Sequence, residues 1–195
     1  MNLNFWEIIP SDFADDSRVW IYQADRSCTD SEIKEIEKTL KGFAAEWSSH
    51  GDKVKGFAGI LFGQFMVFMA DENAMGVSGC STDSSVRLVK SIEQQFDLQL
   101  FDRLKLAFII NDKTVIIDLN LLDQAIENDQ VNDDTPYFNN NVLTKKEFLE
   151  KWIIPVKDSW LGNKFIINNC GNSSSGRAPV SQTGGGGFEP RLPLL

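Results

Sequence analysis

The chain has 195 residues and a formal net charge of −9, and 42% of its residues are hydrophobic, including 14 Phe and 5 Trp. That apolar content is enough for one packed domain of ordinary size. The acidic balance excludes a protein that works by gripping a phosphate backbone, which needs clustered Lys and Arg, so no nucleic-acid partner is expected.

Cys28, Cys80 and Cys170 stand far apart with no C-x-x-C pair, and His50 is the only histidine. This usage fits free thiols in a reducing compartment and lacks any metal-ligand spacing, so neither a metal nor a cofactor is expected. The opening M-N-L-N-F-W-E-I-I-P has neither the basic start nor the apolar core of a signal peptide. The longest apolar run, 56–70, is interrupted by glycines and Gln64 and falls short of a membrane span. A cytoplasmic protein without membrane insertion is the expectation.

In chain order, an apolar arm comes first, with Phe5, Trp6 and Ile8 expected to pack on the body. Arg18 to Ala24, R-V-W-I-Y-Q-A, is rich in branched and aromatic residues and predicts a strand. Thr29-Asp30-Ser31-Glu32 has the form of a capping box. Ile33, Ile36, Leu40, Phe43 and Trp47 follow at three- and four-residue steps and predict a helix from Asp30 to Ser49, ended by His50-Gly51. Residues 56–62 and 64–70 predict a hairpin turning near Gly63. A helix from Asp83 to Phe96 should bury Val86, Val89, Ile92 and Phe96. Leu106 to Ile110 and Thr114 to Leu119 predict a second hairpin, and Leu121 to Asn128 a short helix.

Val131 to Asn141 reads as polar loop. Thr144-Lys145-Lys146-Glu147 is a second capping box, with Leu143 and Phe148 placed for a hydrophobic staple, and its helix should run to Trp152 ahead of Pro155. The order predicts one α+β domain over 1–161, a mainly antiparallel sheet of two hairpins plus one strand covered by three to four helices. From Gly162 the chain carries S-S-S-G and G-G-G-G with little periodicity, and 162–195 reads as a disordered tail.

Chemistry is expected at Asp71 to Ser85, D-E-N-A-M-G-V-S-G-C-S-T-D-S-S, between a predicted strand and a predicted helix. A helix N-terminus offers unpaired N–H groups and a partial positive charge, and Gly79, Ser81, Thr82, Ser84 and Ser85 could cradle an anion there. The hydroxyls of Ser81 or Thr82 would equally serve as helix caps, with Asp83 in the first turn. Arg26 and Asp71, each just past a predicted strand, could line the same pocket. A binding module for a small anion or a protein partner is the leading reading. The alternative is a thiol-dependent enzyme with Cys80 as nucleophile, His50 as base, and Asp71 or Asp83 orienting the imidazole. Trp20, Tyr22, Phe65 and Phe68 read as core rather than as a ligand cage.

Four segments carry a resemblance: R-V-W-I-Y-Q-A-D-R at 18–26, the S-G-C-S-T-D-S-S-V loop with its following E-Q-Q-F, F-N-N at Phe138, and V-K-D-S-W at 156–160. Over residues 5–161 the chain resembles a family of small bacterial proteins without an established activity, often labelled ABC transporter ATPase. The label implies an ATPase-associated role. This chain nevertheless lacks G-x-x-x-x-G-K-[ST], whose lysine reaches the β- and γ-phosphates; the nearest stretch, Gly76 to Ser81, has no lysine. The tail from Gly162 departs from the family pattern.

Overall fold

A computed structural model describes residues 3–49, 52–71 and 79–163, with the main chain alone at 49, 52 and 79–82. The first sheet is built on a run with no polar interruption. Strand β1 (Arg18–Gln23) is followed by helix α1 (Asp30–Glu46), the short β2 (Ser48–Ser49) and β3 (Asp52–Lys53), then β4 (Lys55–Leu61) and β5 (Phe65–Asp71). The sheet order is β1-β5-β4, all antiparallel, while β2 and β3 pair with each other apart from it. All seven residues of β5 are buried, as a central strand covered on both faces requires. Phe65, Val67 and Met69 face one core, and Met66 and Phe68 the other. Phe62 and Gly63, both at positive φ, turn the β4–β5 hairpin.

Helix α2 (Gly79–Phe96) leads to β6 (Lys105–Ile110), β7 (Lys113–Asp118), α3 (Leu122–Glu127), β8 (Pro136–Phe138), α4 (Lys145–Lys151) and β9 (Ile153–Pro155). These strands form a second antiparallel sheet in the order β7-β6-β8-β9. Asn111 and Asp112, at φ 50° and 58°, make the two-residue β6–β7 loop, the left-handed pair that suits hairpin twist. The α+β class is as expected. The two hairpins, however, sit in different sheets, and the predicted polar loop 131–141 contains β8. Three-residue strands such as β8 and β9 are too short to show a period of two.

Three apolar layers hold the elements together. The helices α1 and α2 bury Ile36, Leu40, Val89 and Ile92 on one face of the first sheet. Between the sheets lie Phe65, Ala107, Phe138, Phe148 and Trp152, joined by Phe5, Ile9 and Phe13 from the N-terminal arm. Phe148 stacks on Trp152 at 4.5 Å, and Phe5 meets both edge-on. On the outer face of the second sheet, Phe108 packs with Leu122, Val156 and Leu161. Two lysines clasp the arm by its carbonyls: Lys145 Nζ donates to Phe13 at 2.6 Å, and Lys55 Nζ to Asp12 at 2.5 Å.

Some boundaries differ from expectation for local reasons. In the arm Phe5 and Ile9 are buried, while Trp6 and Ile8 are about half exposed, because residues 5–8 form a single 3-10 turn with one inward side. Helix α1 stops at Glu46, and Trp47 turns extended so that its ring is buried, 2% exposed, over Gly56. Helix α2 starts at Gly79 rather than Asp83, which puts Ser81 and Thr82 inside it rather than at its cap. Thr144 caps α4 as predicted, but Glu147 reaches the Leu143 N–H and Leu143 is 68% exposed, so no staple forms with Phe148. Gly162 is buried and its N–H bonds to the Ser159 carbonyl, so the folded body extends at least to it. Among the described residues no helix is long and apolar enough to cross a membrane.

Candidate functional site

His50 falls outside the described residues, as do the side chains of Cys80, Ser81 and Thr82, and with them the expected Cys80–His50 pair; of Gly79 only the main chain is described. Of the remaining expected residues, Asp83 is exposed and Ser84 half-buried, while Ser85 is fully buried and hydrogen-bonds the Tyr22 hydroxyl. Asp71 is buried and paired with Lys55 at 3.1 Å, and Lys55 also holds Asp12 at 3.1 Å.

Arg26 makes a two-pronged contact with Glu32, at 2.8 and 3.0 Å, and donates to the Phe96 carbonyl at 2.8 Å. Phe96 is the last residue of the 18-residue α2, about 27 Å from its start. The antiparallel register gives the same separation from the other side. Asp71 lies at the Arg18 end of β1 and Arg26 beyond the Gln23 end, with roughly 17 Å of strand between. The structure therefore does not bring Arg26 and Asp71 together; each completes a structural ion pair.

A cleft opens elsewhere, and β1 explains it. This strand is an edge of the first sheet, paired with β5 on one side only. On its other side the chain after Leu143 begins a ladder. Val19 N–H donates to the Leu143 carbonyl at 2.9 Å, and Lys145 N–H to the Ser17 carbonyl at 2.8 Å. Going backwards from Leu143 that chain veers off, since Val142 N–H turns to the Asn139 carbonyl. What remains between β1 and the second sheet is a cleft of about 350 Å³. That is within the range of small-molecule sites, at its lower end.

The cleft has a rigid polar floor. Gln23 Nε2 donates to the Lys105 carbonyl at 3.0 Å, Asn140 Nδ2 donates to Gln23 Oε1 at 2.8 Å, and Trp152 Nε1 donates to Asn140 Oδ1 at 3.0 Å. Each amide uses both its ends, so this chain of bonds fixes where β1 stands relative to β6 and β8. One wall is Tyr22 with Phe101, edge to face at 5.4 Å. The opposite wall carries Tyr137, whose hydroxyl accepts from Trp160 Nε1 at 3.3 Å. Burial raises the pKa of both tyrosines, partly offset at Tyr22 by the Ser85 hydrogen bond and the Arg103 charge. Both hydroxyls are thus neutral hydrogen-bonding groups at ordinary pH.

Two cations line the cleft. Lys105 is paired with Asp118 at 3.1 Å across the β6–β7 ladder. Arg103 is exposed and has no ion pair among the described residues. A wider, shallower groove between α1 and α2 is lined by Phe43 and Leu88.

Sequence reasoning missed this cleft. Trp20 and Tyr22, read as core, pack half-buried against the core on the helix side and also line the cleft; Phe65 and Phe68 are core. Segments 18–26, 138–140 and 156–160 supply Tyr22, Gln23, Asn140 and Trp160 to the cleft, and Ser85 bonds the Tyr22 hydroxyl. Compared with family models, with curated proteins and with solved structures, the chain has no match.

Proposed function

We propose that the protein is a binding module for a small anionic ligand, held in the cleft beside β1 rather than on the 71–85 loop alone. The observation that supports this reading is Arg103 at the wall of a preformed 350 Å³ cleft, without an ion pair among the described residues. A guanidinium offers a planar fork of donors that matches a carboxylate or phosphate. The neighbouring Tyr22, Phe101 and Trp160 supply apolar surface for the rest of the ligand, as binding sites of this size do. The polar floor keeps the cleft shaped in the absence of ligand. The setting we propose is the cytoplasm, where Cys28, a free and buried thiol, is stable.

The test is thermal melting with glutarate and, separately, inorganic phosphate at millimolar concentrations. A ligand that binds the folded state raises the melting temperature by mass action. The expected result is a rise for the native protein with at least one of the two anions, lost in Arg103→Gln. A rise that persists in Arg103→Gln, or no rise with either anion, overturns the reading.

A further inference from the structure

We propose that the cleft receives a short extended peptide with a free carboxylate, whose backbone continues the ladder that β1 begins. This rests on the cleft being the binding site and goes further by naming the ligand class. The argument is one of unsatisfied main-chain groups. Val19 N–H points away from β5, toward Leu143. Along an antiparallel strand the outward groups alternate, so the Val19 C=O, both groups of Ile21 and the Gln23 N–H face the cleft as well. Among the described residues none of these four groups has a hydrogen-bond partner. Val19 is 3% exposed and Gln23 8%. Main-chain groups along a strand edge are nearly always paired with protein or solvent, and an extended amide backbone presents the matching donors and acceptors.

The ends of the open edge set the ligand's length. At one end the Leu143 carbonyl already occupies the ladder, and at the other the Gln23 side chain crosses to the Lys105 carbonyl. Between Val19 and Gln23 lies about 13 Å of strand, enough for three or four extended residues and too little for a long partner strand. A chain terminus fits such a slot better than the middle of a chain, and Arg103 supplies the charge that a terminal carboxylate needs.

The experiment is an NMR titration of the full chain with N-acetyl-Ala-Phe-Ala, its analogue N-methylated at the central amide, and glutarate. The expected result is binding of the peptide with movement of the Ile21 amide signal, and about tenfold weaker binding of the N-methylated analogue. Ile21→Pro removes the complementary bond, the Ile21 N–H that would donate to a peptide carbonyl, and an edge strand tolerates proline there, so it should weaken the unmodified peptide by a similar amount. Should that variant fail to fold, the N-methylated ligand still decides. Equal binding of both peptides overturns the peptide inference; if glutarate still binds and depends on Arg103, the anion reading stands. Peptide binding that is indifferent to Arg103→Gln but sensitive to N-methylation overturns the anion reading and the carboxylate part of the peptide inference, leaving the strand pairing alone. No binding of peptide or glutarate overturns both.

Discussion

At the scale of single residues, Asn140 is the side chain on which the cleft depends. Its amide joins Trp152, the largest fully buried ring of the inter-sheet core, to Gln23 at the end of β1. Asn140→Ala would leave the indole N–H of Trp152 and the Gln23 carbonyl oxygen without partners in a low-dielectric setting. An unsatisfied buried polar group costs about 1–3 kcal/mol, so the variant should lose about that much stability in urea unfolding. It should also disturb the amide signals of Tyr22 and Gln23, because the bond that orients the Gln23 amide, whose other end holds β1 to the Lys105 carbonyl of β6, is gone. Unchanged stability with unchanged cleft signals would show that the network is incidental. Arg26 teaches the opposite lesson. A charged residue just past a strand invites a functional reading, yet its guanidinium is committed to Glu32 and the Phe96 carbonyl. It ties the start of α1 to the end of α2.

At the scale of elements, the N-terminus of α1 shows how a cap becomes a pH sensor. Arg26 is the largest influence on Glu32 and the Thr29 N–H the next, and together they hold the Glu32 carboxyl at about 2, below its ordinary 4.5. The carboxyl pKa is lowered on folding, so the ionised form favours the folded state. Its contribution is fully present above about 4.5 and is lost as pH falls toward about 2. Glu32→Gln should therefore melt lower than the native protein at neutral pH. Between those two values its melting temperature should also fall less steeply with acid. Parallel acid profiles would show that the Glu32 charge contributes nothing there. Helix α4 makes a related point about caps. Both Thr caps were legible, because the pattern is local, but only Thr29–Glu32 closes a full capping box, since Glu147 reaches the Leu143 N–H instead of the Thr144 N–H. The staple expected at Leu143 did not form, because that residue belongs to the strand-like approach to β1 and points to solvent.

At the scale of the whole molecule, the second sheet is closed late in the chain. Val156 and Leu161 are fully buried against Phe108 and Leu122, and Gly162 lies against the Lys157 carbonyl, where a Cβ would come within 2.6 Å. Ending the chain after Asn163 should leave the melting temperature within a few degrees of the full chain. Ending it after Trp160 removes the buried Leu161 side chain, a loss of about 2–5 kcal/mol on the scale of large-to-small core changes. A large drop on the first truncation would place part of 164–195 in the folded body. No drop on the second would show that Leu161 is not needed to close the core.

What the sequence determined by itself is whatever depends on neighbours within a turn or a pair of strands. The cap at Thr29, the face of α1, the apolar run 65–70 of β5 and the hairpin around 111–113 are of this kind, and all were legible. So was the α+β class. The tertiary structure alone decided how the strands divide between two sheets, and hence that β1 is an edge with one side open. The same division brings Trp20 and Tyr22, which pack on the core as their apolar character marks them, to the cleft as well. It also separates Arg26 from Asp71, since two residues that each follow a strand meet only if the strands are parallel, and β1 and β5 are antiparallel. The physical reason is that the cleft is made by contacts between residues far apart in the chain. Gln23 reaches Asn140 and Lys105 across 117 and 82 positions, and no local periodicity carries information over such distances.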